Sequence, residues 1–267
     1  MNMYLHELKS LRKSAFIWTC VLIALAALYL SIYPSMASDA ADFKKLLSGY
    51  PASVRAMLGI NLDYITSFLG FYSMIFSFII LCGAIQAMNL GVSILSKESR
   101  ERTADFLLVK PVSRSAIVSA KLLAAFTAIL VTYIVFFAVT SIMANTIKIS
   151  DYNGKLFFMI NLTMFFIQLI FLAIGMFVSV FFNKIKSVLP ISLGVVIGLY
   201  MIGAVLATGK DDDLARFLSP FKYFDITYII KNANYEPRYI ICSIVIILVA
   251  VVSTYIIYIK KDIHAVS

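Results

Sequence analysis

The chain has 267 residues, of which 61% are hydrophobic and only 14% are charged, and its formal net charge is +9. A soluble domain usually carries about 25% charged residues and cannot bury this much apolar surface, whereas a disordered chain is far less hydrophobic. The composition therefore predicts an all-α polytopic membrane protein and excludes both of those classes.

Six stretches of the chain contain no Asp, Glu, Lys or Arg. They are 14–38, 64–96, 122–147, 156–183, 187–209 and 239–259. Each exceeds the roughly 20 residues that a helix needs to cross the hydrocarbon core, and none shows the alternation of barrel strands. Because backbone groups in the bilayer have no water to bond, each stretch is expected to be helical. We predict one membrane domain over 1–267, with spans at about 14–34, 65–95, 119–144, 156–182, 188–208 and 239–259.

Residues 1–13 precede the first span and predict an amphipathic helix at the membrane surface. Tyr4, Leu8 and Leu11 recur at helical spacing and form an apolar face. The opposite face is charged and carries Glu7, Lys9, Arg12 and Lys13. Two interpretations remain open for this segment: a docking platform beside the membrane, or a solvated extension of the first span.

The second charge-free stretch, 64–96, is longer than a membrane crossing requires. As one continuous helix it would extend about 50 Å, against a hydrocarbon core of about 30 Å. It therefore tilts or projects beyond the bilayer, and it leads directly into 97–114, the most charged part of the chain. Glu98 and Arg102 stand four residues apart there, which favours helix.

The segment 97–114 predicts a short helix, a turn and a second helix. Pro111 should end the first helix, because the residue before a proline disfavours the α conformation. Ser113 is a suitable amino-terminal cap for the helix that continues into the third span. The apolar run 106–108 lies among charges outside the bilayer, so we expect it to contact another protein.

The distribution of basic residues predicts the orientation of the chain. With six spans, both termini lie on one side, and the segments on that side hold more than half of the 23 Lys and Arg residues in a shorter total length. The positive-inside rule then places both termini in the cytoplasm of a cell (plasma) membrane protein. The basic charge is explained by topology and anionic headgroups, so no nucleic-acid partner is expected.

The outer loop 210–238 predicts a short interfacial or re-entrant helix before the last span. The aspartates 211–213 suit a helix amino terminus, an interpretation we favour over a calcium site. Phe217, Phe221 and Phe224 can share one face near the outer headgroups.

No pattern for catalysis, nucleotide binding or metal binding occurs in the chain. Cys20, Cys82 and Cys242 fall inside predicted spans without ligand spacing, and we expect no metal. The charge-free spans argue against an ion-coupled carrier. The notable span amides are Gln86, Asn89, Asn161 and Gln168, for which interhelical hydrogen bonds are favoured over substrate contact.

The segment 97–114, the six spans and the amphipathic amino terminus together resemble an ABC-2 type ABC transporter permease. The matching residues are Glu98, Arg100, Glu101, Thr103, Asp105, Phe106, Leu107, Leu108, Pro111, Val112, Ser113 and Arg114. Arg102 stands where the family usually has Gly. The segment Leu218–Phe221 resembles a short motif that recurs before the last span of such permeases. The apolar and aromatic spans suit two subgroups of the family: exporters of antimicrobial or amphipathic peptides, such as the phenol-soluble-modulin exporters, and permeases that give self-immunity to a peptide antibiotic.

The resemblance implies a division of labour between subunits. A separate cytoplasmic ATPase would bind ATP and Mg and hydrolyse ATP, while this chain would bind no cofactor and have no catalytic residue. A second permease, identical or related, would pair with this chain. The loop between spans two and three would act as the coupling helix, through Glu98, Glu101, Thr103, Asp105, Phe106, Leu107, Pro111 and Arg114.

The expected function is ATP-driven export of a hydrophobic or amphipathic substrate: a peptide, a peptide antibiotic or a lipid-like molecule. The candidate path residues are Phe71, Tyr72 and Phe76 on span two and Tyr200 and Met201 on span five. The alternative is a non-transporting membrane immunity or assembly protein, which would bind no ATPase and would not need 97–114.

Overall fold

The computed structural model describes residues 3–51, 54–55, 58, 60–101, 112–149, 151–182, 185, 187–206 and 216–260, with backbone alone at 98–101 and 205–206. The longer regular elements within these ranges are all helices. They are α1 (Met3–Leu30), α2 (Tyr33–Ser38), α3 (Ala40–Ser48), α4 (Phe68–Glu101), α5 (Arg114–Ile147), α6 (Gly154–Phe181), α7 (Val188–Leu206), α8 (Ile226–Asn232) and α9 (Pro237–Lys260). A 3₁₀ turn at Pro220–Lys222 lies between α7 and α8.

The long apolar helices occur in the same order as the predicted spans. Five helical segments are long and apolar enough to cross a membrane, and they correspond to α1, α4, α5, α6 and α9. A shorter apolar helix at Val188–Ala204 lies within α7. The all-α polytopic fold predicted from composition is thus confirmed. The helices extend beyond the apolar stretches because a helix continues until a cap or a breaker stops it.

The first span and the predicted surface helix form one continuous helix. No Gly or Pro occurs between Met3 and Leu30, so nothing in this sequence interrupts the backbone hydrogen bonds. The described part of the segment 1–13 is therefore the amino-terminal extension of the first span.

The amino termini of three helices are stabilised by capping side chains. The predicted cap Ser113 accepts a hydrogen bond from the backbone N–H of Ala116 at 3.2 Å. Asn153 caps α6, and Asp225 caps α8 by accepting from the backbone N–H of Thr227 at 2.8 Å. Each cap satisfies a backbone donor that the helix itself leaves unpaired, and so defines where that helix begins.

The core of the bundle is the pair α4 and α6, which make the most extensive helix contact in the described chain. Gly91 and Gly175 face each other, and a Cβ built on Gly91 would lie 2.4 Å from the carbonyl oxygen of Leu172. Only glycine allows the two backbones to approach this closely. The helix α1 packs on α5, α9 packs on α6, and α7 packs on α4.

The described ends of the chain lie at the same end of the bundle. The guanidinium of Arg114, at the start of α5, donates to the carbonyl oxygen of Ile259 in the last turn of α9 at 3.0 Å. Lys121 on α5 forms an ion pair with Glu7 near the start of α1. We call this end of the bundle, which also holds the end of α4, the amino-terminal end.

The segment before α9 folds back onto the bundle at the opposite end. The short helix predicted there is α8, which ends at Ala233 in the left-handed conformation with φ 50°. Two of the three phenylalanines pack inward: Phe221 lies 5.1 Å from the ring of Phe171 and Phe224 lies 5.3 Å from that of Phe166. Phe217 is exposed, whereas the aspartates 211–213 lie outside the described residues.

Candidate functional site

The predicted coupling segment joins α4 to α5 at the amino-terminal end. Glu98 and Glu101 belong to the last turn of α4, and Arg114 is the first residue of α5. Five predicted coupling residues lie outside the described residues: Thr103, Asp105, Phe106, Leu107 and Pro111. The role of the eight residues in coupling stays a prediction, while the geometry shows that both flanking helices belong to the packed bundle.

A buried ion pair joins three helices beside this segment. The Lys121 ammonium lies 3.3 Å from a carboxylate oxygen of Glu7, and the two side chains are 0% and 6% exposed. The same ammonium donates to the backbone carbonyl of Ile94 on α4 at 2.6 Å. Because a buried charge is costly without a partner, these contacts hold α1, α4 and α5 in one arrangement.

This ion pair was not predicted from the sequence, in which Glu7 was placed on the charged face of residues 1–13. In the structure Glu7 lies on the buried face of α1, with Thr19, Leu22, Ala26 and Leu30. Thr19, Leu22, Ala26 and Leu30 recur at helical spacing, but Glu7 precedes Thr19 by twelve residues, or about three and a third turns. Spacing in the sequence therefore does not indicate that Glu7 is buried.

A chain of polar side chains crosses the interior of the bundle. Gln168 Nε2 donates to Gln86 Oε1 at 3.1 Å, and Gln86 Nε2 donates to Thr132 Oγ1 at 3.4 Å. The Thr132 hydroxyl also lies 3.1 Å from that of Thr19, and all four side chains are buried. These contacts connect α1, α5, α4 and α6, which confirms the predicted interhelical role of the two glutamines.

The path candidates on span two lie inside an aromatic cluster. Phe71, Tyr72 and Phe76 are buried, and the Tyr72 hydroxyl donates to Asn161 Oδ1 at 2.8 Å. The ring of Tyr72 also lies 4.8 Å from that of Phe157 on α6. In this conformation the three side chains pack between α4 and its neighbours, and their contact with substrate stays a prediction.

The path candidates on span five have different surroundings. The ring of Tyr200 meets the ring of Phe221 edge-on at 5.3 Å, whereas Met201 is exposed on the surface of α7. Ser219, just before Phe221, is buried and donates to the carbonyl of Leu199 at 2.9 Å. The segment Leu218–Phe221, which resembles a pattern of the family, therefore packs against span five. The role of Tyr200 and Met201 in substrate contact also stays a prediction.

A polar groove between α1 and α4 was not anticipated from the sequence. It has a volume of about 170 Å³ and lies near the amino-terminal end, with Ala128 of α5 also lining it. Its polar lining is Ser10, Ser14, Trp18, Gln86, Asn89, Ser93 and Lys97. Lys97 Nζ donates to Ser10 Oγ at 2.5 Å across the groove. The available signal was the helical spacing of the polar residues of α4, which places them on one face.

The described residues contain no cluster of three or more His, Cys, Asp or Glu side chains that could hold a metal ion. The three cysteines are free: Cys20 is exposed, and Cys82 and Cys242 are partly buried.

Comparison with known proteins identifies the family. No curated protein matches the chain significantly. The model of the family described as ABC-2 family transporter protein matches residues 1–263, almost the whole chain. This family supplies the transmembrane component of a transporter, whose partners are ABC ATPase subunits and the membrane. The chain, with its bundle of apolar helices, therefore belongs to the ABC-2 transporter family and is a multi-pass transmembrane permease.

Proposed function

We propose that this permease exports a hydrophobic or amphipathic substrate and is driven by two separate ATPase subunits that act through the segment 97–114. The observation that carries the proposal is the helix α4, which runs unbroken over 34 residues into that segment. At 1.5 Å per residue it extends about 51 Å, well beyond the roughly 30 Å hydrocarbon core. A force applied at the coupling segment is thus applied directly to a membrane-crossing helix.

The packing of α4 supports its role as a lever. Its contact with α6 brings the backbones of Gly91 and Gly175 together, so the two helices have little freedom to slide independently. The polar contact between Gln86 and Gln168 is a second link between them. Displacement of the coupling segment would therefore move α4 and α6 as a unit and rearrange the helices around them.

The chemistry of 97–114 suits a protein partner. Glu98, Glu101 and Asp105 would meet the ATPase through charge, and Phe106 and Leu107 would supply an apolar anchor. Such mixed contacts are typical of interfaces in which apolar anchors carry most of the binding energy. Two permeases, identical or related, would then form the pathway, with substrate leaving between spans two and five.

The substrate class is inferred from the composition of the spans. Apolar and aromatic residues dominate them, which suits an amphipathic peptide, a peptide antibiotic or a lipid-like molecule. Phe71, Tyr72 and Phe76 would reach the path only after α4 moves, because they are buried in this conformation. Antimicrobial-peptide export is the specific form of the proposal.

The test is co-purification of the tagged permease with its partners from gently solubilised membranes. The variant Glu98→Ala, Glu101→Ala, Phe106→Ala, Leu107→Ala is expected to remain folded but to lose the ATPase. The control Lys148→Ala, Asp151→Ala removes an exposed ion pair in the loop between α5 and α6 and should retain it. Retention of the ATPase by the first variant would refute the assigned contact. A stable wild-type permease that recovers no ATPase in any detergent would favour an immunity or assembly protein instead.

A further inference from the structure

The polar groove between α1 and α4 has the layout of a lipid-binding site. Along α1, Ser10, Ser14 and Trp18 recur at helical spacing and line the groove. Further along the same face of the helix, Val21 and Leu28 are exposed and apolar. One face of α1 is thus polar towards the amino-terminal end and apolar towards the membrane centre, which matches the headgroup and acyl chain of a lipid.

The side of the groove formed by α4 is also lined by polar residues, and these extend deep into the bundle. Lys97 lies at the outer mouth of the groove, and Ser93, Asn89 and Gln86 follow on the same helix. Gln86 is eleven residues from Lys97, or about 16 Å deeper at the rise of an α-helix. Gln86 is already paired with Gln168 and Thr132. The partly buried Asn89 and Ser93 are costly to leave against hydrocarbon, and they favour a polar occupant over an acyl chain alone in this groove.

The positive charge of Lys97 favours an anionic ligand in the groove. Lys97 donates one hydrogen bond to Ser10, and an ammonium group has three donors. None of the carboxylates whose side chains are described lies within ion-pair distance of Lys97. Lys121, by contrast, is enclosed and ion-paired with Glu7, so it does not offer its charge to the groove.

We propose that this groove binds the phosphate of an anionic phospholipid from the leaflet at the amino-terminal end of the bundle. Lys97 supplies the positive charge, and the hydroxyls of Ser10, Ser14 and Ser93 supply neutral donors to the phosphate oxygens. The indole of Trp18 lies at the level where tryptophan is enriched in membrane proteins, between headgroup and chain. The acyl chains follow the exposed apolar residues of α1. Lys97 is also the first residue of the segment 97–114, but none of the eight predicted coupling residues lines the groove.

Trp18 permits a direct test, because it is the single tryptophan of the chain and it lines the groove. The full-length permease is reconstituted in vesicles that contain either dibrominated phosphatidylglycerol or dibrominated phosphatidylcholine, and quenching of Trp18 fluorescence is measured. The wild-type protein is expected to bind the anionic lipid at least about tenfold more strongly than the zwitterionic one, as a charge-assisted contact implies. Equal quenching by the two lipids would overturn the proposal.

Two variants separate the groove from general surface charge. Lys97→Gln is expected to abolish the preference for phosphatidylglycerol, whereas Arg12→Gln, which removes an exposed cation from the opposite face of α1, should retain it. Ser14→Leu occupies the groove without a change in charge and should abolish the preference too. Equal effects of Lys97→Gln and Arg12→Gln would contradict the proposal, as would full preference in Ser14→Leu. Complete reversal of quenching by millimolar glycerol 3-phosphate would show that the groove binds a free phosphate compound. That result would overturn the proposal of a phospholipid site.

Discussion

The ion pair between Glu7 and Lys121 is the individual contact on which the arrangement of the amino-terminal end most depends. Lys121 is fully buried and binds both the Glu7 carboxylate and the Ile94 carbonyl, so one side chain connects three helices. The pair between Lys148 and Asp151 is its exposed counterpart. The hydrogen bond from Lys148 lowers the pKa of the Asp151 carboxyl, which keeps this exposed pair charged at neutral pH.

Replacing Lys121 with Met is expected to lower the free energy of unfolding by about 3–5 kcal/mol, because Glu7 would remain buried without its partner. Lys148→Met should have no measurable effect, since an exposed pair is screened by water. Unfolding of each variant is followed in a single detergent.

The double variant Glu7→Leu, Lys121→Met distinguishes the charge from the packing. It should recover most of the stability lost in the single variant, because Glu7 no longer leaves a buried carboxylate without Lys121. Equal destabilisation of the single and double variants would show that the charge pairing is not the cause.

Among the described helices, α4 and α6 make the most extensive contact. A Cβ on Gly175 would lie 2.7 Å from the carbonyl oxygen of Met88, and a Cβ on Gly91 would meet the backbone of α6. Neither backbone can yield as a flexible side chain could. The two glycines therefore determine how near these helices lie.

Gly91→Ala and Gly175→Ala are each expected to destabilise the permease by about 1–3 kcal/mol, because each added methyl group forces the helices apart. Gly194 and Gly198 on α7 are matched controls, since a Cβ at either position meets no atom within 4 Å. Alanine there should be neutral or stabilise by up to about 1 kcal/mol through its higher helix propensity. Thermal denaturation of the purified variants would measure the difference, and similar behaviour of all four would refute the close contact.

For the whole molecule, the geometry supports an even number of crossings. Arg114 bonds to the last turn of α9 and Lys121 pairs with the first helix, so both described ends lie together. We expect the amino-terminal end of the bundle to face the cytoplasm, because Lys and Arg favour the cytoplasmic side.

Reporter fusions would test this topology. A reporter joined after Ser267 should be active in the cytoplasm, and one joined after Asp151, in the loop between α5 and α6, should be active outside. The physical reason is the greater density of basic residues in the segments on the side of the termini. An external reporter at Ser267 together with a cytoplasmic one at Asp151 would reverse the proposed orientation. Reporters that lie on the same side of the membrane at both positions would contradict the proposed order of crossings.

The features that depend on local composition could be predicted from the sequence alone. Runs of apolar residues predicted the helices, since a chain in hydrocarbon must satisfy its own backbone groups. Ser113 predicted the start of α5, because a cap acts within one turn of its helix. Gln86 and Gln168 predicted hydrogen bonds between helices, although not which helices would meet.

The pairing of the helices, and the contacts between them, could be seen only in the folded bundle. The burial of Glu7, the contact of Gly91 with α6 and the groove beside Lys97 join positions far apart in the chain. Hydrophobicity is nearly uniform around these helices, so periodicity carries little information about which face meets which neighbour. Helix pairing in such a bundle depends on shape and on the satisfaction of a few polar groups, which emerge only when the elements are assembled.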